Sequence, residues 1–311
     1  MKRVINGFIQ RVIKTMITYN KKDIPEHLQK YFEPAELGLE KTPEEYVANL
    51  VAVFSEVKRL LKDDGTLWLN LGDSYASGRG RYSSSPQTIS GKADRGEPIS
   101  GNRPDQRNHN YLKDKDLCMI PARVAIALQK SGWWLRQNII WSKPNPMPES
   151  VRDRCTKSHE YIFLLTKSSR YYYDADAIKE DSIDEESYTG WRPRGVHQIA
   201  IHDTKHAQTI SKGKGKVGVI YETRNRRSVW EITTQPYSGA HFATFPEEIP
   251  TICIKAGSKK GDTVLDPFCG SGTTGDVALR LERNFIGIEL NKKYIDELII
   301  PRLENINPLF R

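Results

Sequence analysis

The chain has 311 residues, is 38% hydrophobic and carries a formal net charge of +8. That length holds one large domain or two small ones, and the apolar fraction is enough for a buried core. The charge favours an anionic partner. No apolar run approaches the roughly 18 residues of a membrane span, and four scattered cysteines without a Cys-x-x-Cys pair argue against structural zinc or any metal and for a reduced, cytoplasmic chain.

The N-terminus lacks the continuous apolar core of a signal peptide. Val4, Ile5, Phe8, Ile9, Val12, Ile13, Met16 and Ile17 instead recur at helical spacing and predict an amphipathic helix that packs on this protein or a partner. Thr42-Pro43-Glu44-Glu45 is a helix start, with Thr42 as cap and Pro43 at the first helical position. Tyr46, Val47, Leu50, Val51, Phe54, Val57, Leu60 and Leu61 form the buried face of that helix. After a turn at Asp63-Asp64-Gly65, TLWLNLG (66–72) reads as a buried strand. Residues 76–112 are Ser, Gly, Arg and Asn rich and read as a long mobile loop. A helix over 120–132 and strands over 133–144 and 160–168 follow. Residues 175–228 are polar and basic and read as irregular. The chain closes on a helix (245–257), a strand (262–268), a helix (272–282) and a strand (284–290). This alternation predicts an α/β fold whose sheet is covered by helices on both faces.

The excess charge is local. Residues 76–112 hold six Lys/Arg against three Asp/Glu, and residues 203–228 hold seven against two. Two irregular basic segments therefore carry the whole net charge, which suits a polyanion such as DNA. Lys212, Lys214, Lys216, Arg224, Arg226 and Arg227 are the candidate polyanion contacts, which the resemblance described below makes contacts to DNA.

Gly270-Ser271-Gly272-Thr273-Thr274-Gly275 fits G-x-G-x-x-G between a predicted strand and helix, and Glu289 ends the next predicted strand. Glycines admit close backbone approach to a ligand, and an acid at that place can bond both ribose hydroxyls. Only 36 residues follow Gly275, so the rest of the sheet must come from earlier in the chain. Asp266, just before the turn, would repel a pyrophosphate but accept an ammonium group. S-adenosylmethionine therefore ranks ahead of NAD.

DPFCGSGTT with FIGIEL resembles the cofactor motif of the β-class amino DNA methyltransferases. SGAHFATFPEEIP (238–250), GLEKTPEEYV (38–47), LWLNLGDSY (67–75), WWLRQNIIWSKPNPMPES (133–150) and KSHEYIFLLTKSSRYYYD (157–174) resemble a site-specific branch of bacteria and phages. The resemblance implies a Rossmann-like S-adenosylmethionine-dependent methyltransferase sheet, permuted so that the cofactor motif is C-terminal. It divides the chain into a divergent segment (1–35), a catalytic half (36–175), a target-recognition region (176–228) and a cofactor half (229–311). Asp266, Phe268, Gly270 and Gly272 would line the methionine end of the cofactor, Glu289 the ribose, and His241, Phe242 and Thr244 would sit nearby. Asn70 and Asp73 would line the cleft or cap the strand end. Trp141, Lys143 and Asn145 would face the extruded base or form a rigid Pro-rich turn. Cys269 would be small filler without a nucleophilic role. The expected substrate is double-stranded DNA, methylated on an exocyclic amine, cytosine N4 ahead of adenine N6. A cognate restriction enzyme is an implied partner; RNA is a weaker substrate.

One motif of that family is missing. Its members hold the amine with Asp, Asn or Ser followed by Pro-Pro-Tyr or Pro-Pro-Phe, yet no two of the 17 prolines here are adjacent. Three readings follow, in order: a truncated or frameshifted copy, a catalytic strand from a separate chain, or an unusual amine-holding site in the N-terminal segment. A non-catalytic DNA- or partner-binding remnant is the rival function.

Overall fold

The computed structural model describes residues 37–38, 40, 42–76, 111–181, 199–201, 207–212, 216–221, 223–235 and 245–306. The predicted N-terminal helix, most of the 76–112 loop, Lys214, His241, Phe242 and Thr244 lie outside them.

The chain divides into two compact units, Met1–Tyr172 with Val229–Arg311, and Tyr173–Ser228. The first holds helix α1 (Pro43–Leu60), strand β1 (Thr66–Leu71), helix α2 (Ile120–Lys130), and strands β2 (Trp134–Ser142) and β3 (His159–Thr166). Thr42 caps α1 by accepting the Glu45 amide at 3.1 Å. Pro43 follows it, and Glu44 and Glu45 stand in the first turn, where the helix dipole favours acids. The sheet continues after the second unit with β9 (Val229–Glu231), giving the order β1-β3-β2-β9. Strand β3 lies antiparallel to both neighbours and β9 runs parallel to β2. Leu50 and Phe54 of α1 and Val124, Ala125 and Leu128 of α2 pack with Leu69, Phe163 and Leu165 into the main core. The uninterrupted apolar run Ile162–Leu165 is buried throughout, as a strand covered on both faces requires.

The C-terminal part is helix α3 (Glu248–Gly257), strand β10 (Thr263–Asp266), helix α4 (Thr273–Arg280) and strand β11 (Asn284–Gly287). It ends in helix α5 (Lys292–Tyr294), a π turn (Ile295–Ile299) and helix α6 (Ile300–Ile306). This final helical stretch was not predicted. Strands β10 and β11 are parallel, with Ile254, Val277 and Ala278 forming a small core against Val264 and Phe285. The mixed α/β fold predicted from the element alternation is present, with strands from the middle and the end of the chain meeting in one unit.

Strands β1 and β10 are each paired on one side only. The segments next to them touch through a Lys62–Asp262 ion pair at 2.7 Å and through Phe54 edge-on to Phe268 at 6.2 Å. No strand among the described residues bridges the two edges.

The second unit corrects the sequence reading of 175–228 as irregular. It contains β4 (Glu180–Asp181) antiparallel to β8 (Thr223–Arg224), and a meander of β5 (Ile199–Ile201), β6 (Ala207–Lys212) and β7 (Lys216–Tyr221). The polar composition hid the strands, because period-2 patterning is weak where few positions are apolar.

Candidate functional site

The glycine turn joins β10 to α4 and lies beside the end of β11. The parallel ladder extends past the strands: the Ile288 amide donates to Asp266 O at 2.9 Å and the Cys269 amide to Ile288 O at 2.9 Å. Gly270 (φ +53°) and Gly272 (φ +79°) both adopt the left-handed conformation that glycine takes without a Cβ penalty. A Cβ on Gly275 would meet the Phe285 ring at 2.6 Å, so the third glycine lets α4 lie directly on β11. A Cβ on Gly270 would meet only Phe268 O, at 3.9 Å; that side of the turn is open.

Two carboxylates hold the turn. Glu289 Oε2 accepts the Gly270 amide at 2.8 Å and its Oε1 the Asn291 amide at 2.9 Å. Asp266 accepts the Phe268 amide at 3.0 Å and the Thr274 hydroxyl at 2.6 Å. Burial pushes the Asp266 carboxyl above its ordinary pKa and the charge of Glu289 adds to this, against the hydrogen bonds from Thr274 and the Phe268 amide. Phe268, Ile288 and Leu290 stand exposed around the acids, at 47%, 47% and 63%. Open backbone, two acids with lone pairs to spare and a rim of exposed apolar side chains suit a ligand with an ammonium group, a diol and a flat ring. The donor set and the open side of Gly270 thus fit a nucleoside carrying an amino acid tail. Cys269 is buried, and burial raises its thiol pKa strongly, so it offers no nucleophile.

The other predicted residues have the following partners. Asn70 donates its amide to Tyr161 O at 3.2 Å. One Asp73 oxygen accepts the Ser74 amide at 2.8 Å and the Ile120 amide at 3.0 Å, which caps the start of α2. Asp73→Ala is expected to lower stability by about 1 kcal/mol, the usual worth of a helix cap, read as a lower urea midpoint at unchanged slope.

Trp141 is 2% exposed and donates its indole N–H to Ile232 O at 2.8 Å, which leaves no accessible ring face for a base. Lys143 is ion-paired with Glu160 and stands 4.3 Å from the Trp141 ring centroid. The Asn145 side chain pairs with the backbone of Thr234, accepting its amide at 2.9 Å. The polar groups of all three are thus engaged within the protein. In the second unit Glu180 accepts Arg224 at 2.9 Å and Arg227 at 2.6 Å, and Arg226 donates to Ile178 O at 3.0 Å. Burial raises the Glu180 carboxyl, but the two arginines outweigh it and hold the pKa below the ordinary range. Lys212, the last residue of β6, and Lys216, the first of β7, are register partners. Among the described residues no three His, Cys, Asp or Glu side chains are grouped to hold a metal, and no helix is long and apolar enough to cross a membrane.

The profile of the N6/N4 methyltransferase family, described as DNA methylase, matches residues 10–300. The chain belongs to this DNA methylase family. Among its relatives, the type II methyltransferase M.Cfr9I of Citrobacter freundii is 43% identical over 277 residues, which are 89% of this chain and 77% of that protein. A Thermus thermophilus protein solved in complex with S-adenosyl-L-methionine superposes with a TM-score of 0.51 at 21% identity, covering 85% of this chain and 79% of that one. The PvuII DNA methyltransferase, described as cytosine-N4-specific, superposes at 0.54 with 17% identity, covering 89% and 81%. These two structures share the fold. The family match includes the glycine turn at 270–275.

Proposed function

We propose that the protein acts in site-specific methylation of double-stranded DNA, in which the methyl group of S-adenosylmethionine moves to an exocyclic base amine, cytosine N4 ahead of adenine N6, once a further strand holds that amine. The observation that carries this is the pair of carboxylates, Asp266 and Glu289, on one open glycine turn. Asp266 would take the ammonium group and Glu289 the ribose diol. Bound there, the cofactor supplies an electrophilic methyl on a sulfonium; the protein's part is to fix the donor's two ends and exclude water. The N4 preference is supported by the stated specificity of the PvuII enzyme, a fold relative only.

The sequence holds no pair of adjacent prolines to mark an amine-holding strand. Asn70 and Asp73, the polar side chains near the end of β1, are engaged with backbone groups. β1 and β10 each have a neighbouring strand on one side only, and the proposal has one further strand pairing between them. A catalytically silent DNA-binding relative is the second reading, and it rests on the absence of adjacent prolines alone. Reading modified bases in DNA from cells expressing the protein separates them. 4-Methylcytosine at one recurring sequence supports the proposal, 6-methyladenine there corrects the base, and neither supports the silent reading.

DNA contact is proposed for the β6–β7 turn. Replacing Lys212, Lys214 and Lys216 with Gln together should weaken binding to all duplexes alike. The salt dependence should become shallower by up to about 0.9 log unit per lost phosphate contact. A titration at several salt concentrations reads this, and an unchanged slope would leave the turn a solvated loop.

A further inference from the structure

We propose that Arg302 is a positioning residue that holds the glycine turn from behind, so that the turn keeps its shape while its front carboxylates engage the cofactor. This rests on the cofactor assignment above. The turn uses two left-handed glycines, a conformation glycine permits without favouring, so neighbouring groups must select it. The groups in front, Glu289 on the Gly270 amide and Asp266 on the Phe268 amide, are the same ones proposed to meet the ligand. The groups behind are independent of it.

Behind the turn, a Cβ at Gly272 would lie 3.5 Å from Ile299 Cγ2, so the π turn supports the backbone there directly. One helical turn on, the Arg302 guanidinium reaches three side chains, two on α4 and one at the start of α3. Its Nη1 donates to Thr273 Oγ1 at 3.2 Å, its Nε to Asp276 at 2.7 Å and its Nη2 to Glu247 at 2.8 Å. Thr273 also bonds Ser271 at 3.2 Å, inside the turn. The Arg302 and Asp276 side chains are only 17% and 12% exposed. A planar fork with fixed donors can serve three acceptors at once, whereas an ammonium on a flexible stem cannot hold the same geometry. Arg280 is the internal control. It pairs with Asp276 and Glu247 on the outside of the same cluster and is 48% exposed.

The test compares wild type, Arg302→Lys, Arg302→Met, Arg280→Met and Thr273→Val in the full chain. Amide exchange at residues 269–274 is measured without ligand, and S-adenosylmethionine affinity by calorimetry. Arg302→Lys should speed exchange in the turn and weaken affinity by about tenfold or more, the scale of a lost charge-assisted hydrogen bond. Exchange in β3 should stay unchanged. Arg280→Met should move both readouts by less than about threefold, as for an exposed ion pair. Should Arg302→Met not fold, Arg302→Lys and Thr273→Val decide, the latter being expected to loosen the turn alone. Wild-type exchange and affinity in Arg302→Lys, or faster exchange spread equally over β3 and α1, overturns the proposal. A wild type that binds no S-adenosylmethionine overturns the cofactor assignment instead, while the exchange measurement still decides Arg302.

Discussion

Purified alone, the 311-residue chain is expected to transfer no methyl group to mixed-sequence DNA above background. An exocyclic base amine is a poor nucleophile, because its lone pair is delocalised into the ring. Acceptors for both amine hydrogens must localise that pair before it meets a methyl donor, and binding the donor does nothing toward this. The candidates near the end of β1 are engaged: Asn70 donates to Tyr161 O, and Asp73 accepts the amides of Ser74 and Ile120. A single well-placed polar group at a reacting centre is worth about 10²–10³ in rate, and each 1.4 kcal/mol is about tenfold. Adding a strand with Ser-Pro-Pro-Tyr upstream of Gly38 should therefore raise transfer by about a thousandfold or more, provided it pairs into the gap between β1 and β10. Tritium transfer from labelled cofactor measures both states. Robust transfer by the unmodified chain would refute this and would place the amine-holding group in residues 18–37.

Cofactor affinity should depend on pH through Asp266. Burial raises its pKa in the free protein, so ionisation for an ammonium contact is costly, and a bound cation reverses that cost. Binding should weaken on acidification, with a midpoint above that of an exposed aspartate, and should release a proton in that range. The linked stability effect has the opposite sense. A raised folded-state pKa gives stability that is present at low pH and lost as pH rises through it, so the free protein is strained at neutral pH by this group and the ligand relieves the strain. Asp266→Asn should abolish the pH dependence and, at neutral pH, weaken binding by about tenfold or more, since a charge-assisted bond is worth about 1.5–3 kcal/mol. Glu289→Gln should weaken it less, because an amide oxygen still accepts one of the two backbone amides that Glu289 now holds. Calorimetry across pH in two buffers of different ionisation enthalpy reads affinity and proton release together. A flat profile in the wild type would remove Asp266 from the ligand contact.

The elements that pack the core were legible in the amino-acid order alone. Thr42-Pro43 starts α1, the spacing of Leu50 and Phe54 turns its buried face to the sheet, and the apolar run at 162–165 lies inside it, because caps and periodicity are local properties of the chain. The glycine turn was legible for the same reason: left-handed backbone and close helix–strand contact both require glycine, so spacing alone marks them. Tertiary structure decided what each polar side chain is free to do. Trp141, Lys143 and Asn145 stand in a motif that suits a base pocket or a rigid turn, and Ile232, Glu160 and Thr234 engage their polar groups from as far as 91 residues away. Asp73 became a helix cap because α2 starts beside it, 47 residues on in the chain. Arg302 lies 29 residues past Thr273 in a helical stretch with no motif, and only the packing of the π turn against Gly272 brings it behind the turn. Hydrogen-bond partners and burial depend on which distant segments share a neighbourhood, and no local pattern encodes that.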